Sequence, residues 1–132
     1  MSRPGVLALL SASLALAACG SQYTGPEKEV EDAIKDLQQA AERDEAGTIC
    51  NELLAKAVVD RIRGAQGDCE DAIQKALDRT DSFRLTVESI RIVDRTNARA
   101  RVETGTEEEN VELMLLVREG DRWKVSALPG AA

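Results

Sequence analysis

The hydrophobic period of this sequence changes once, near Ser82, and that change restricts the fold more than any other feature. Before it, apolar residues recur every three or four positions; after it they alternate. Val30, Ile34, Leu37 and Ala41, with Ala33 and Ala40 beside them, form one stripe and predict a helix over Glu27–Arg43. Pro26 suits its first turn, and Glu27, Glu29, Glu31 and Asp32 complement the positive end of its dipole. Asp44 to Gly47 breaks it. A second helix is expected from about Thr48, burying Ile49, Cys50, Leu53, Leu54 and Ala57 and extending toward Val58, Val59 and Ile62. Gly64 to Gly67 reads as a loop. Asp68 then offers an N-cap for a third helix, Cys69–Arg79, buried through Cys69, Ile73, Ala76 and Leu77.

After Ser82, Phe83, Leu85 and Val87 alternate with Arg84, Thr86 and Glu88, while Ile90 and Ile92 carry the apolar face in the opposite phase. A one-residue slip of this kind predicts a β-bulge at Glu88 or Ser89. Thr96-Asn97 turns the chain into a second strand with Ala98, Ala100 and Val102 inward and Arg99, Arg101 and Glu103 outward. Val111, Leu113, Leu115 and Val117 are read as the inner face of a third strand whose other face carries Met114 and Leu116, as in a partly covered strand. Glu119-Gly120-Asp121-Arg122 is a hairpin turn before Trp123, Val125 and Ala127, and Pro129-Gly130 ends the domain. Helices followed by antiparallel strands predict an α+β domain: three N-terminal helices on a curved four-stranded antiparallel sheet.

The N-terminal segment is of another kind. Val6–Ala18 is an apolar run interrupted by two serines and preceded by Arg3. It falls short of the ~20 apolar residues that cross a bilayer, but suits the core of a signal peptide. The run ends in Leu16-Ala17-Ala18-Cys19, which resembles a bacterial lipoprotein lipobox. The resemblance implies cleavage before Cys19 and lipid attachment to its sulfur, so residues 1–18 are expected to be a signal peptide and 19–26 a lipidated tether. Residues 27–129 are the domain and 130–132 a tail. Each buried methylene of such a lipid contributes about 0.8 kcal/mol, and two or more chains anchor stably. The expected location is the extracytoplasmic side of the cell membrane, anchored through Cys19 without spanning it.

Loss of residues 1–18 removes one cation, Arg3, and leaves 16 cations against 24 anions, a net charge of −8. Nucleic acid is not an expected partner of so acidic a chain, and adhesion to anionic headgroups through basic residues is disfavoured on net charge. The acid is uneven: residues 19–82 hold 8 cations against 15 anions, and residues 83–132 hold 8 against 9. With Cys19 lipidated, Cys50 and Cys69 remain, an even pair in an oxidising compartment, and a disulfide between them is expected. Two buried thiols or half of a metal site are the alternatives, the latter short of ligands because the chain has no histidine.

The order of elements and the terminal pattern "VELMLLVREGDRWKVSAL" resemble the nuclear transport factor 2-like superfamily, a cone-shaped α+β fold, and within it small bacterial lipoproteins. The resemblance implies a cavity between sheet and helices. In catalytic members an Asp, Glu or His acts there as base, often with a Tyr as proton donor. This chain has no His, and its one tyrosine, Tyr23, lies in the tether. Glu88 and Glu112 are the carboxylates to weigh as a buried base, although alternation turns both outward. Arg99 and Arg101 are suited to gripping a carboxylate, with cross-strand pairing to neighbours such as Glu112 as the plainer account. Glu107–Glu109 suggests calcium only weakly, since no metal-loop spacing surrounds it. The expected function is therefore a non-enzymatic binding domain for a protein partner or a small apolar ligand, with no cofactor and no metal. The alternatives are a cavity enzyme of isomerase or cyclase type, and an envelope scaffold with an exposed patch at Met114 and Leu116.

Overall fold

The computed structural model describes residues 22–80, 83–105 and 110–128. The signal segment, Cys19, the Glu107–Glu109 run and Pro129-Gly130 lie outside the described residues. The chain runs α1 (Gly25–Glu42), α2 (Ala46–Thr48), a π-helical turn (Ile49–Leu53), α3 (Lys56–Gln66) and α4 (Cys69–Asp78). Four strands follow: β1 (Leu85–Ile92), β2 (Asn97–Thr104), β3 (Val111–Glu119) and β4 (Arg122–Ala127). They pair antiparallel in the order β1-β2-β3-β4, an open meander. The fold is α+β.

The stripe on α1 is buried as its spacing requires, through Val30, Ile34, Leu37, Ala40 and Ala41. Asp44 ends the run in the left-handed region, at φ 56°, a conformation a short polar side chain tolerates. The helix contacts both outermost strands, β1 and β4. Near its C-terminal end Gln38 Oε1 accepts the Leu85 N–H at 2.8 Å, and near its N-terminal end Trp123 Nε1 donates to Glu29 Oε2 at 3.3 Å. One helix thus ties the two edges of the sheet, which is bent by irregularities at Val87/Ser89 and Leu115/Leu116. The first of these is the predicted bulge.

The expected second helix is instead two helical pieces with a break between them. Leu54 and Ala55 are extended, Leu54 pairs with Val125 as an isolated parallel bridge, and Ala55 N–H donates to Val125 O at 2.9 Å. The chain gives up two helical residues to satisfy the free edge of β4, which would otherwise present unpaired backbone groups. Just before the break, Leu54 N–H reaches back five residues to Ile49 O at 2.9 Å. Beyond it α3 continues through Gly64 rather than looping there, and stops at Gly67, whose φ of 86° suits glycine.

Glu119 closes the first turn of α3 from the far end of β3: Lys56 N–H donates to both its carboxylate oxygens, at 2.8 and 3.2 Å. A carboxylate there satisfies an orphan amide and meets the positive end of the dipole. Asp68 caps α4 as expected, accepting from Asp71 N–H at 3.0 Å. On α4, Cys69 is buried and Ile73 and Leu77 pack on the core, but Ala76 is exposed. The Cys50 and Cys69 sulfurs are bonded at 2.12 Å, joining the π-helical turn to the start of α4, with α3 between them in sequence.

The phase of β3 is the reverse of the expected one. Met114 and Leu116 are 0% and 1% exposed, whereas Leu113 is 50% exposed. Pairing decides this. Ala98 and Ala100, buried without ambiguity, stand opposite Leu116 and Met114, while Arg99 and Arg101 stand opposite Leu115 and Leu113. The exposed patch expected at Met114 and Leu116 is therefore core, and among the described residues the large exposed apolar side chains are Leu113 and Val93.

Candidate functional site

The concave side of the sheet is packed with side chains. Ala98, Ala100, Val102, Met114, Leu116 and Val125 are all at most 2% exposed beneath the helices. Aliphatic residues fill the place where a cone-shaped fold would hold a ligand.

What opens on this side is a cleft of about 270 Å³ at the end of the sheet, lined by Phe83, Leu85 and Leu128, with Thr80, Thr104, Arg84 and Glu112. The reversed phase of β3 brings Glu112 here. It is half-buried opposite Val102, on the inner side, and not outward beside Arg99 and Arg101 as expected. Among the described residues no donor or cation is bonded to its carboxylate. Among the described residues the charged residue sharing the cleft is Arg84, whose guanidinium offers N–H donors and no acceptor.

Glu88 lies at the bulge of β1 and is exposed, so it is not a buried base. Tyr23, half-buried, turns its hydroxyl to the Glu88 carbonyl oxygen at 3.4 Å. It is tied to an edge strand, away from the Phe83–Leu128 cleft. Arg99 and Arg101 are exposed on the outer face, where leucines oppose them across the ladder. Beside them a shallow groove of about 400 Å³ runs between Val93, Arg99, Leu113, Leu115 and Ser126. Among the described residues no group of acidic or sulfur side chains is placed to hold a metal ion, and no helix is long and apolar enough to cross a membrane.

The perturbed ionisations lie away from the cleft. Asp94 accepts Thr96 N–H at 2.8 Å and Asn97 N–H at 2.9 Å, with further bonds from both side chains, and these hold its carboxyl below the ordinary range. This makes the β1–β2 turn a carboxylate-centred loop that includes Asp94 as well as the expected Thr96-Asn97. Lys28 is raised by its bond to Asp32, on the surface of α1.

Sequence reasoning missed the cleft because its walls come from four separate places: the link from α4 into β1, the end of β2, the start of β3 and the residue after β4. Only the alternation of β2, carried across to β3, held the signal for Glu112. Buried Glu31, bonded to Lys35 at 2.9 Å, was hidden among the acidic residues of the first turns of α1. No family model matches the chain, and neither curated proteins nor solved structures gave a match.

Proposed function

We propose that this chain is an exported, lipid-anchored and non-enzymatic binding domain of nuclear transport factor 2-like architecture. Its Phe83–Leu128 cleft takes a small apolar ligand or an apolar side chain of a protein partner. The observation that carries the reading is the make-up of the cleft: among the described residues its lining has three apolar walls and one carboxylate, with no second carboxylate beside it. Acid–base catalysis needs a donor and an acceptor within reach of one reacting atom. A cleft of about 270 Å³ is close to the lower end of ligand pockets, which start near 300 Å³. The lipidated Cys19, its signal peptide and the extracytoplasmic location rest on the Leu16–Cys19 motif.

Native mass spectrometry of the protein gently extracted from its own membrane tests this. A reproducible adduct beyond the lipid on Cys19, absent from a Phe83→Arg variant of unchanged thermal midpoint, is the expected result. A protein-sized addition lost in the same variant supports the partner form. An adduct that survives Phe83→Arg, or a bare lipidated monomer, would overturn the assignment of the cleft. Glu112 keeps the cavity-enzyme reading open as a second one, because it is the carboxylate that lines the cleft among the described residues. Chemical conversion of a recovered ligand by native protein and not by Glu112→Gln would establish it.

A further inference from the structure

We propose that the outer face of the sheet docks on an anionic lipid surface, an inference that rests on the reading of Cys19 as the anchor. The first observation is a cluster of like charge on the outer face. Arg91 and Arg99 stand directly opposite each other across β1 and β2, and Arg101 follows Arg99 on the same face, opposite Ser89. Like charges in register repel, and same-face neighbours along a strand are only ~7 Å apart. All three side chains are exposed, and among the described residues no carboxylate pairs with any of them. Phosphate groups against this face would relieve the repulsion. Next to the arginines, Leu113 and Val93 are 50% and 48% exposed, placed to enter the boundary beneath the headgroups.

The second observation is where the chain leaves the domain. Tyr23 is bonded to the backbone of Glu88 in β1, and Cys19 is four positions earlier. At no more than ~3.6 Å per residue, those four positions span at most ~14 Å. A lipid on Cys19 therefore holds the membrane close to β1, the strand that supplies Arg91. Charge then selects which side of β1 faces the membrane. The helical side carries exposed Glu29, Asp32, Asp36 and Glu42 on α1, which anionic headgroups repel, whereas the sheet side clusters three arginines, with Glu103 beyond Arg101 on β2 and Asp94 at the turn as its nearby acids. The net charge of −8 averages two unlike faces that the fold separates. Lipid and arginines together supply the two signals that stable peripheral attachment requires.

Vesicle co-sedimentation of an unlipidated chain beginning at Gly20 separates docking from anchoring. The buried core of the described structure lies between Val30 and Val125, so this chain keeps all of it. The expected result is binding to phosphatidylcholine vesicles doped with phosphatidylglycerol and none to phosphatidylcholine alone. Replacing Arg91, Arg99 and Arg101 together with Gln should weaken that binding by a factor on the order of a hundred, at about tenfold or less per arginine. High salt should abolish native binding, a readout that stands even if the triple variant misfolds. Failure to bind phosphatidylglycerol, or equal binding by a folded triple variant, would overturn the proposal. So would capture of the face by an acidic Glu/Leu peptide without vesicle binding, which would make the partner a protein. The intact mass of the cell-purified protein reports the lipid on Cys19 separately: an unmodified cysteine removes the anchor while the vesicle result still decides the arginine face.

Discussion

The two sides of the sheet are built from nearly the same apolar alphabet and end in opposite environments. On β3, Met114 and Leu116 point one way and Leu113, Leu115 and Val117 the other. The inner pair is sealed by helices, while the outer set is shared among arginines and solvent, with Leu113 half exposed. Hydrophobicity alone does not choose the buried face of a strand that is apolar on both sides. The choice is made by the neighbouring strand, through register. On β2, where alanines and valine alternate with arginines, only one orientation leaves no guanidinium in the core, and β3 follows.

The most severe way to break this contrast is to empty the inner side. Met114→Ala should cost about 2–5 kcal/mol, the range for deleting a large buried side chain. Leu113→Ala, one residue away, should stay within about 0.5 kcal/mol, as surface changes do. Chemical denaturation of the two variants measures the difference; equal losses would contradict the assigned phase. Next in size is the staple on the covering helices. Replacing Cys50 and Cys69 with Ala opens a link between positions 19 apart in sequence. By chain entropy it should lower stability by about 3 kcal/mol. In a domain of this size that is a fall of roughly 12–20 °C in melting temperature.

A smaller effect should follow Ala55→Pro. Ala55 and Leu54 already have backbone angles that proline and its predecessor accept, but the ring removes the N–H given to Val125. A loss of about 1–3 kcal/mol is expected for the orphaned carbonyl, with faster amide exchange along β4. The smallest effect concerns pH. Because bonds from Thr96 and Asn97 lower the Asp94 pKa, its stabilisation is present above the unfolded carboxyl pKa, about 4, and is lost as pH falls through the folded value. Asp94→Asn should therefore lower the melting temperature slightly at neutral pH and flatten its decline in acid.

Much of the fold was legible where one local rule acted alone. The α1 stripe, the Asp68 cap, the bulge after Val87 and the Gly120-Asp121 turn all follow from short-range chemistry, and the pairing of Cys50 with Cys69 from the parity of the cysteines. Legibility failed where a distant partner overruled the local pattern. Leu54 and Ala55 sit in a sequence that continues as a helix, yet the open edge of β4 takes them. Gly64 looks like a stop, but a helix closed at its start by Glu119 runs through it. Glu112 alternates outward when β3 is read alone and inward when β2 is considered. The cleft was invisible for the same reason, because its walls meet only after the sheet has folded over α1.

The attachment of Leu54 and Ala55 to Val125 also orders events in time. The last strand holds the second helical segment through Ala55 and the first helix through Trp123 and Glu29. A growing chain that has not yet delivered β4 can assemble neither contact, and the apolar side of α1 keeps part of its surface in water. The packing around α1 is complete only when β4 is in place. The strand that arrives last among the described elements is therefore the latch that closes the helices onto the sheet.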